Sequence, residues 1–316
     1  MRFALSPEQT DFGAAIDAML RDADTPAVAR AWAAGDHGPG LALWRRLADL
    51  GVTGLAVPER FEGAGAGVVE VVIAFEQMGR HAVPGPLVES LVAVPMVLRD
   101  TDLAGRWLPG IAAGKTVATM TAPPLVPYGL DADLADPVLL VNGDSLWLAQ
   151  VGNALASVDR SRRLFQVTAG EPLGAFEVGG ALDAGALACA AQLLGLGRAL
   201  LDLTVGYARR RHQFGRPIGS FQAVKHQLAD VLVGLETARP LVYGAAVTGD
   251  PRDVSAAKVA AGEAAYRAAR VALQVHGAIG YTAEHDLGLW LAKVRALRSA
   301  WGTPHWHRTR VLEKQC

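Results

Sequence analysis

Residues whose types could do chemistry fall in a few places along this 316-residue chain. Arg209, Arg210 and Arg211 close a long helical stretch, where cations suit the negative end of the helix dipole. Taken alone, that run reads as a solvated basic helix end. His305 and His307 flank Trp306. Two positions apart on a helix they point to different sides, and a metal needs more ligands than this pair. Gly63, Gly65 and Gly67 make no phosphate loop, because no strand, turn and helix with a following acidic residue surround them. Cys189 and Cys316 are too few for a disulfide framework or a Cys-rich metal site. No metal centre is expected.

Helices must position most of these groups. Ser6-Pro7-Glu8-Gln9 reads as a helix start, with Ser6 as the cap, Pro7 in the first turn and Gln9 as capping-box partner. Phe12, Ile16, Met19 and Leu20 then recur at helical spacing, and Leu43, Trp44, Leu47 and Leu50 do the same in a second helix. A Gly-rich break over 58–67 precedes a helix over 68–78. The middle of the chain changes character. Residues 138–144 and 145–149 read as strands joined by a turn at Asn142-Gly143, and 164–167 and 176–178 as further strands. Long helices return over 182–211, 221–248, 253–276 and 283–299, which reads as an antiparallel bundle. The expected organisation is a helical domain over 1–115, a reduced β domain over 116–180 and a four-helix bundle over 181–316, mainly α with a small central β domain.

Composition agrees with such a protein. Hydrophobic residues make up 51% and charged residues 19%, with a net charge of -1. That balance points neither to nucleic acid nor to an anionic membrane surface. No apolar run is long and uninterrupted enough to span a bilayer, and no signal-peptide core follows Met1, so a cytoplasmic location is expected. Abundant alanine and leucine favour helices packed closely through small side chains.

Two stretches are more specific. Arg211-His-Gln-Phe-Gly-Arg-Pro-Ile-Gly-Ser-Phe-Gln222 continues to Leu228-Ala-Asp230, and Gln274-Val-His-Gly-Ala-Ile-Gly-Tyr-Thr-Ala-Glu284 follows. At this separation they closely resemble the C-terminal domain of the acyl-CoA dehydrogenase family. Trp44, Leu55-Ala-Val-Pro-Glu59, Gly63, Gly65 and Glu76-Gln-Met-Gly-Arg80 resemble its N-terminal domain. The resemblance implies a helical domain, a β domain and a four-helix bundle, assembled as dimers or pairs of dimers. It also implies FAD bound across a subunit interface. It sets Arg211, Gln213, Phe214, Gln274, Gly277 and Ala278 against the cofactor's ADP half, whose flavin ring sits in the neighbouring subunit. A guanidinium fork suits pyrophosphate oxygens, and glycine lets backbone approach closely. Phe221 and Leu228 read as core, His276 as packing near the cofactor or turn, and Glu284 as structural.

The family's chemistry removes a proton beside the thioester carbonyl with a glutamate, while a hydride leaves for the flavin. The usual place is a Tyr-Glu-Gly-Thr stretch, matched by Ala300-Trp301-Gly302-Thr303. An indole cannot take that proton. The alternative family position falls on Gly185, equally without a carboxylate. Nearby, Asp183 matches a CoA-holding aspartate and stays an outside candidate for the base, while Ala186 replaces the CoA arginine. The flavin loop is reduced to Thr121-Ala-Pro-Pro124 with no Gly-Ser-Asp after it. The resemblance therefore implies a non-catalytic subunit that lends an ADP-side clamp to a second acyl-CoA dehydrogenase-like chain acting on an acyl-CoA, with bulky or steroid-derived thioesters as the substrate class. Two alternatives stay open. One is a self-sufficient homo-oligomer using Asp183, His305 or Glu284 as base. The other is a flavin-free helical scaffold.

Overall fold

The computed structural model describes residues 4–176, 178–282 and 285–313. Helix α1, Pro7–Arg21, starts with the expected capping box: Ser6 Oγ accepts from Gln9 N–H, and Gln9 Oε1 accepts from Ser6 N–H. Helices α2 (Thr25–Ala33), α3 (Gly38–Asp49) and α4 (Val68–Arg80) follow. Leu43, Trp44 and Leu47 of α3 are buried, as their spacing requires, while Leu50 caps the helix half-buried. A π-helical turn over Glu89–Ala93 runs into α5, Val94–Leu98, and α6 covers Ala104–Ala112.

Strands β1 (Thr119–Thr121), β2 (Gly129–Leu130), β3 (Val138–Asn142), β4 (Ser145–Leu155) and β5 (Leu164–Ala175) form one sheet in the order β1-β3-β4-β5-β2. Only the β1–β3 pairing is parallel. Asn142 pairs with Ser145, so Gly143 and Asp144 occupy the tight turn, one residue later than the sequence predicts. Strands β4 and β5 are longer than expected. Register shifts along their ladder let them continue through Gly170, Pro172 and Gly174, where a simple alternation rule stops. The predicted strand over 176–178 is not one. The sheet ends at Ala175, Val178 is the cap of the next helix, and Glu177 lies outside the described residues.

Helix α7, Gly179–Arg210, is the spine of the C-terminal part. By length and composition it could cross a membrane, contrary to the sequence expectation, but 89% of its most apolar window is packed inside the fold. A short hairpin, β6 (His212–Gln213) and β7 (Arg216–Pro217), leads to α8, Gln222–Thr248, and α9, Pro251–His276. Alanines 257, 261, 265, 268 and 272 bury one stripe of α9 and let it pack closely on α7 and α8. Helix α10 spans Leu287–Leu297 and α11 spans Pro304–Leu312. The bundle's fourth helix thus begins at Leu287, four residues later than predicted; Ala283 and Glu284 lie outside the described residues. One apolar core joins α4 and α5 to α7, α9 and α10.

Candidate functional site

The end of the bundle where α7 and α9 both terminate presents an open, polar face. Tyr207, in the last turn of α7, stacks on the buried His276 that ends α9, ring centroids 4.2 Å apart. Neighbouring His276 Nδ1–H donates to Ala272 O at 2.8 Å, which fixes the ring. Burial, first of all, lowers its pKa, so the ring is neutral and packs as an aromatic. From that junction a groove of about 680 Å³ runs along α9, walled by Gln227, Tyr266, Arg267, Arg270, Gln274 and Gly277 among others. Gly277 has φ +63° and ψ -140°, a conformation closed to other residues, and a Cβ there would project into open space. Ala278 lies exposed on the turn that follows.

Arg211 and its neighbours do not line this groove. They stand exposed on the hairpin beyond α7. Arg211 N–H caps the helix through Tyr207 O at 2.9 Å, and its guanidinium makes no ion pair among the described residues. The hairpin turns on Phe214 (φ 53°) and Gly215 (φ 76°), two left-handed residues in a row. Such turns favour Asn, Asp or Gly, so phenylalanine at the first position is held against local preference. Its ring is 91% exposed. Phe221 is half-buried beneath Arg216, whose guanidinium lies 4.1 Å from the ring centre; Leu228 is half-buried as well, so neither is deep core.

A second cavity, about 410 Å³, lies between the sheet and the end of α10. Trp301 forms part of its wall and is 3% exposed. Its ring presses on Gly185: a Cβ at that position would fall 2.3 Å from Trp301 Cζ3. One indole therefore closes both positions at which the sequence sought a base. Trp301 sits at φ 59°, a strained choice for a bulky residue. The surroundings hold it there. His307 Nε2–H donates to Trp301 O at 2.9 Å, and the buried Lys258 Nζ donates to Leu297 O at 3.0 Å and Arg298 O at 3.3 Å, capping α10 just before the loop. Burial pulls Lys258 below the ordinary lysine range.

Residues 6–115 match the acyl-CoA dehydrogenase N-terminal domain and residues 176–315 the acyl-CoA dehydrogenase C-terminal domain. The chain belongs to the acyl-CoA dehydrogenase family. It is 35% identical over 271 residues to the acyl-CoA dehydrogenase IpdE2 of Mycobacterium tuberculosis, covering 85% of each chain. Among solved structures it is similar to the Tcur3481-Tcur3483 steroid ACAD, with a TM-score of 0.85 and 25% identity over 96% of each chain. It is equally similar to the ChsE4-ChsE5 complex of Mycobacterium tuberculosis, with a TM-score of 0.85 and 25% identity over 98% of each chain. The family implies FAD. The donors on the open face fit a phosphate-linked nucleotide: Arg270 has no ion pair among the described residues, Gln274 is exposed, and the Gly277 backbone leaves room for close approach.

The predicted residues separate into groups. Gln274 and Gly277 share the groove, with Ala278 beside it, while Arg211, Gln213 and Phe214 cluster on the hairpin. Asp183 is tied to Arg310 by two contacts, one of them 3.0 Å from Nη2, and does not line the Trp301 cavity. His305 is exposed on α11, whereas His307 is buried on the opposite side, as their spacing requires. Glu284 falls outside the described residues. Sequence reading missed Glu89, Arg162 and Arg270. Arg270 lies one helical turn before Gln274 on the same face, a signal that was available. Glu89 and Arg162 carry no local signal, because packing alone brings the two segments together.

Proposed function

We propose that this chain is the non-catalytic subunit of a heteromeric FAD-dependent acyl-CoA dehydrogenase. The observation that carries this reading is the Trp301 indole pressed onto Gly185, which leaves a carboxylate no room at either position. On this reading the chain divides into a helical domain (1–115), a β domain (116–180) and a bundle (181–316). Arg211 grips pyrophosphate oxygens of the FAD whose ring lies in the partner, through a bidentate, charge-assisted pair. Gln213 and Gln274 add hydrogen bonds, Phe214 adds an apolar shelf, and the backbone at Gly277 and Ala278 lets the nucleotide approach closely. FAD, when bound, accepts the hydride that leaves the acyl chain. The partner supplies the base and the acyl pocket.

Relatives support the assembly and the substrate class. One similar structure is a complex of two different chains, and another is described as a steroid ACAD. We therefore assign a bulky, ring-containing acyl-CoA thioester as substrate and the cytoplasm as location. The rival readings gain little. Asp183 is held by Arg310, and His305 is exposed and does not line the cavity. A flavin-free scaffold would have no use for an exposed Phe214 beside an Arg211 that makes no ion pair among the described residues. The test is co-purification. Alone, the chain is expected to be flavin-poor and inactive; with its partner, it should give a yellow, active complex. Full turnover by the lone chain would overturn the proposal.

A further inference from the structure

A closed circuit of side chains ties the α2–α3 turn to the sheet. Trp32, in the last turn of α2, is buried, and its Nε1–H donates to Asp131 Oδ1 at 3.0 Å, just after β2. Its ring packs edge to face with His37, the cap of α3, ring centroids 4.7 Å apart. Arg163, just before β5, places Nη1 2.8 Å from His37 Nε2 and 3.0 Å from Asp133 Oδ1. Asp131 N–H completes the circuit by donating to Arg163 O at 2.7 Å. The fit is close. A Cβ at Gly40 would fall 2.2 Å from Trp32 Cε3, and Asp131 is held in a left-handed conformation, φ 50°.

Hydrogen bonding requires one member of this circuit to be uncharged. A guanidinium has only donors, so the His37 Nε2 that faces Arg163 accepts and carries no proton. An imidazolium there would set N–H against N–H beside a cation. Burial first, and then Arg163, lower the His37 pKa below 6.5, over the opposing pull of Asp133 and Asp36. A second member is uncharged for lack of partners. Asp131 is fully buried, and its Oδ2 has no hydrogen-bond partner among the described residues. A carboxylate served by one indole donor is poorly compensated, and the neutral acid loses far less on burial. Burial pushes the Asp131 carboxyl up to about 7; Trp32, Arg162 and Arg163 oppose this, and the Glu89 carboxyl adds to it.

With the turn lifted off the sheet, both groups face water and titrate at their ordinary values, 3.8 for Asp131 and 6.5 for His37. Between those values both are charged. We propose that docking of the α2–α3 turn on the sheet relocates a proton from the His37 imidazolium to the Asp131 carboxylate, so that a charged pair in the open form becomes a neutral pair in the closed one. A positive and a negative charge vanish together, and no net proton is exchanged with solvent. The two linkages have opposite sign. A carboxyl whose pKa rises on docking favours the closed form as pH falls, while an imidazole whose pKa drops favours the open form. The latch therefore holds across mildly acid pH, where either group alone would make it pH-dependent. Helix α2 also walls a cleft of about 420 Å³ with α10 and the loop over 158–161, so the latch governs how far that cleft opens. It does so whichever chain carries the base.

Hydrogen–deuterium exchange over residues 25–40 of the purified full chain, in whatever assembly it forms, tests this. Protection is corrected for the intrinsic pH dependence of exchange. His37→Gln cannot titrate but keeps an acceptor for Arg163, and Asp131→Asn cannot titrate but keeps an acceptor for Trp32. From about pH 6.5 to about pH 5.5, protection should rise about eightfold in His37→Gln and fall about threefold in Asp131→Asn, up to one proton being linked to closing in each. The native chain should lie between them, and the double variant should be flat. Coincident profiles for all four chains, or either single variant moving the opposite way, would overturn the proposal. Because a variant could fail to fold, carboxyl-carbon NMR of the native chain labelled only in aspartate gives a second reading. An aspartate carbon should titrate near 7. If every aspartate titrates in the ordinary carboxylate range, no proton sits on Asp131 and the proposal fails.

Discussion

The groove along α9 and the contact of Trp301 with Gly185 differ in what occupies them. The groove is open, lined by arginine, glutamine and tyrosine, with an exposed phenylalanine on the neighbouring hairpin. At the base position the space over Gly185 is filled: the Trp301 indole occupies it, its backbone is held in a left-handed conformation, and a buried histidine and lysine lock the loop. On the proposed reading, loss of catalysis in this chain is a packing event, more than the deletion of one carboxylate. A surface that serves another molecule must stay exposed and is shaped by what it binds. A site with no reaction left to perform is free to become core, and core packing rewards large apolar groups.

The sharpest way to break that comparison is Trp301→Ala. If the indole has become core, removing it should cost about 3–5 kcal/mol, as for other buried aromatics, read from the urea midpoint of the complex. FAD content should stay within about twofold, because the groove lies elsewhere. A small loss of stability would mean that the indole is not packed as core against Gly185. Arg211→Ala probes the open side and should do the reverse. Stability should barely change, since the side chain is exposed. FAD retention should fall about 10- to 100-fold with the loss of a charge-assisted pair. Flavin absorbance per mole of complex after gel filtration is the measurement.

The two regions also differ in how far sequence could reveal them. The proposed clamp could be read from sequence because its groups are local: Arg211, Gln213 and Phe214 share a hairpin, and Gln274, Gly277 and Ala278 share a helix end. Helix starts with a capping box and stripes at helical spacing were legible for the same reason. The filled side was only half legible. Trp301 could be placed at the base position, yet nothing in the spacing told that its ring would seat on Gly185, more than a hundred residues away. Glu89 and Arg162 are joined by packing alone. Strand errors have a related cause. Phe176, Glu177 and Val178 alternate like a strand, but α7 begins at Gly179 and takes Val178 as its cap.

The lock on Trp301 predicts a pH effect confined to the filled side. Trp301 O can only accept, so His307 Nε2 carries the proton and Nδ1 accepts from Ser255 Oγ at 3.1 Å. A second proton has no place in this pocket. Burial, with Lys258 and Arg310 nearby, pulls the His307 pKa down to about 4, while the unfolded chain titrates near 6.5. Between those values the unfolded state binds more protons, so this contribution is full above 6.5 and is lost as pH falls towards 4. Its size is about 1–2 kcal/mol, less than the full pKa difference because the loop can relax. Unfolding free energy measured against pH for the native chain and His307→Asn should differ in slope across that window and run parallel above it. Parallel curves throughout would show that His307 is not what holds the loop.

The smallest expected effect bears on whether any carboxylate of this chain still does chemistry. Asp183 is the acid nearest in sequence to Gly185, and its oxygens are engaged by Arg310, with both side chains partly exposed. A pair of this kind contributes about 0.5–1 kcal/mol, because solvent screens it and two side chains must be ordered. Asp183→Asn should therefore lower stability by that amount and leave turnover of the complex within about twofold. A proton-abstracting carboxylate behaves differently: its amide would remove turnover by several orders of magnitude with no loss of flavin. If Asp183→Asn silences a fully flavinylated complex, then the filled base position is not the whole of the site, and the contrast between an open groove and a packed indole must be redrawn around α7.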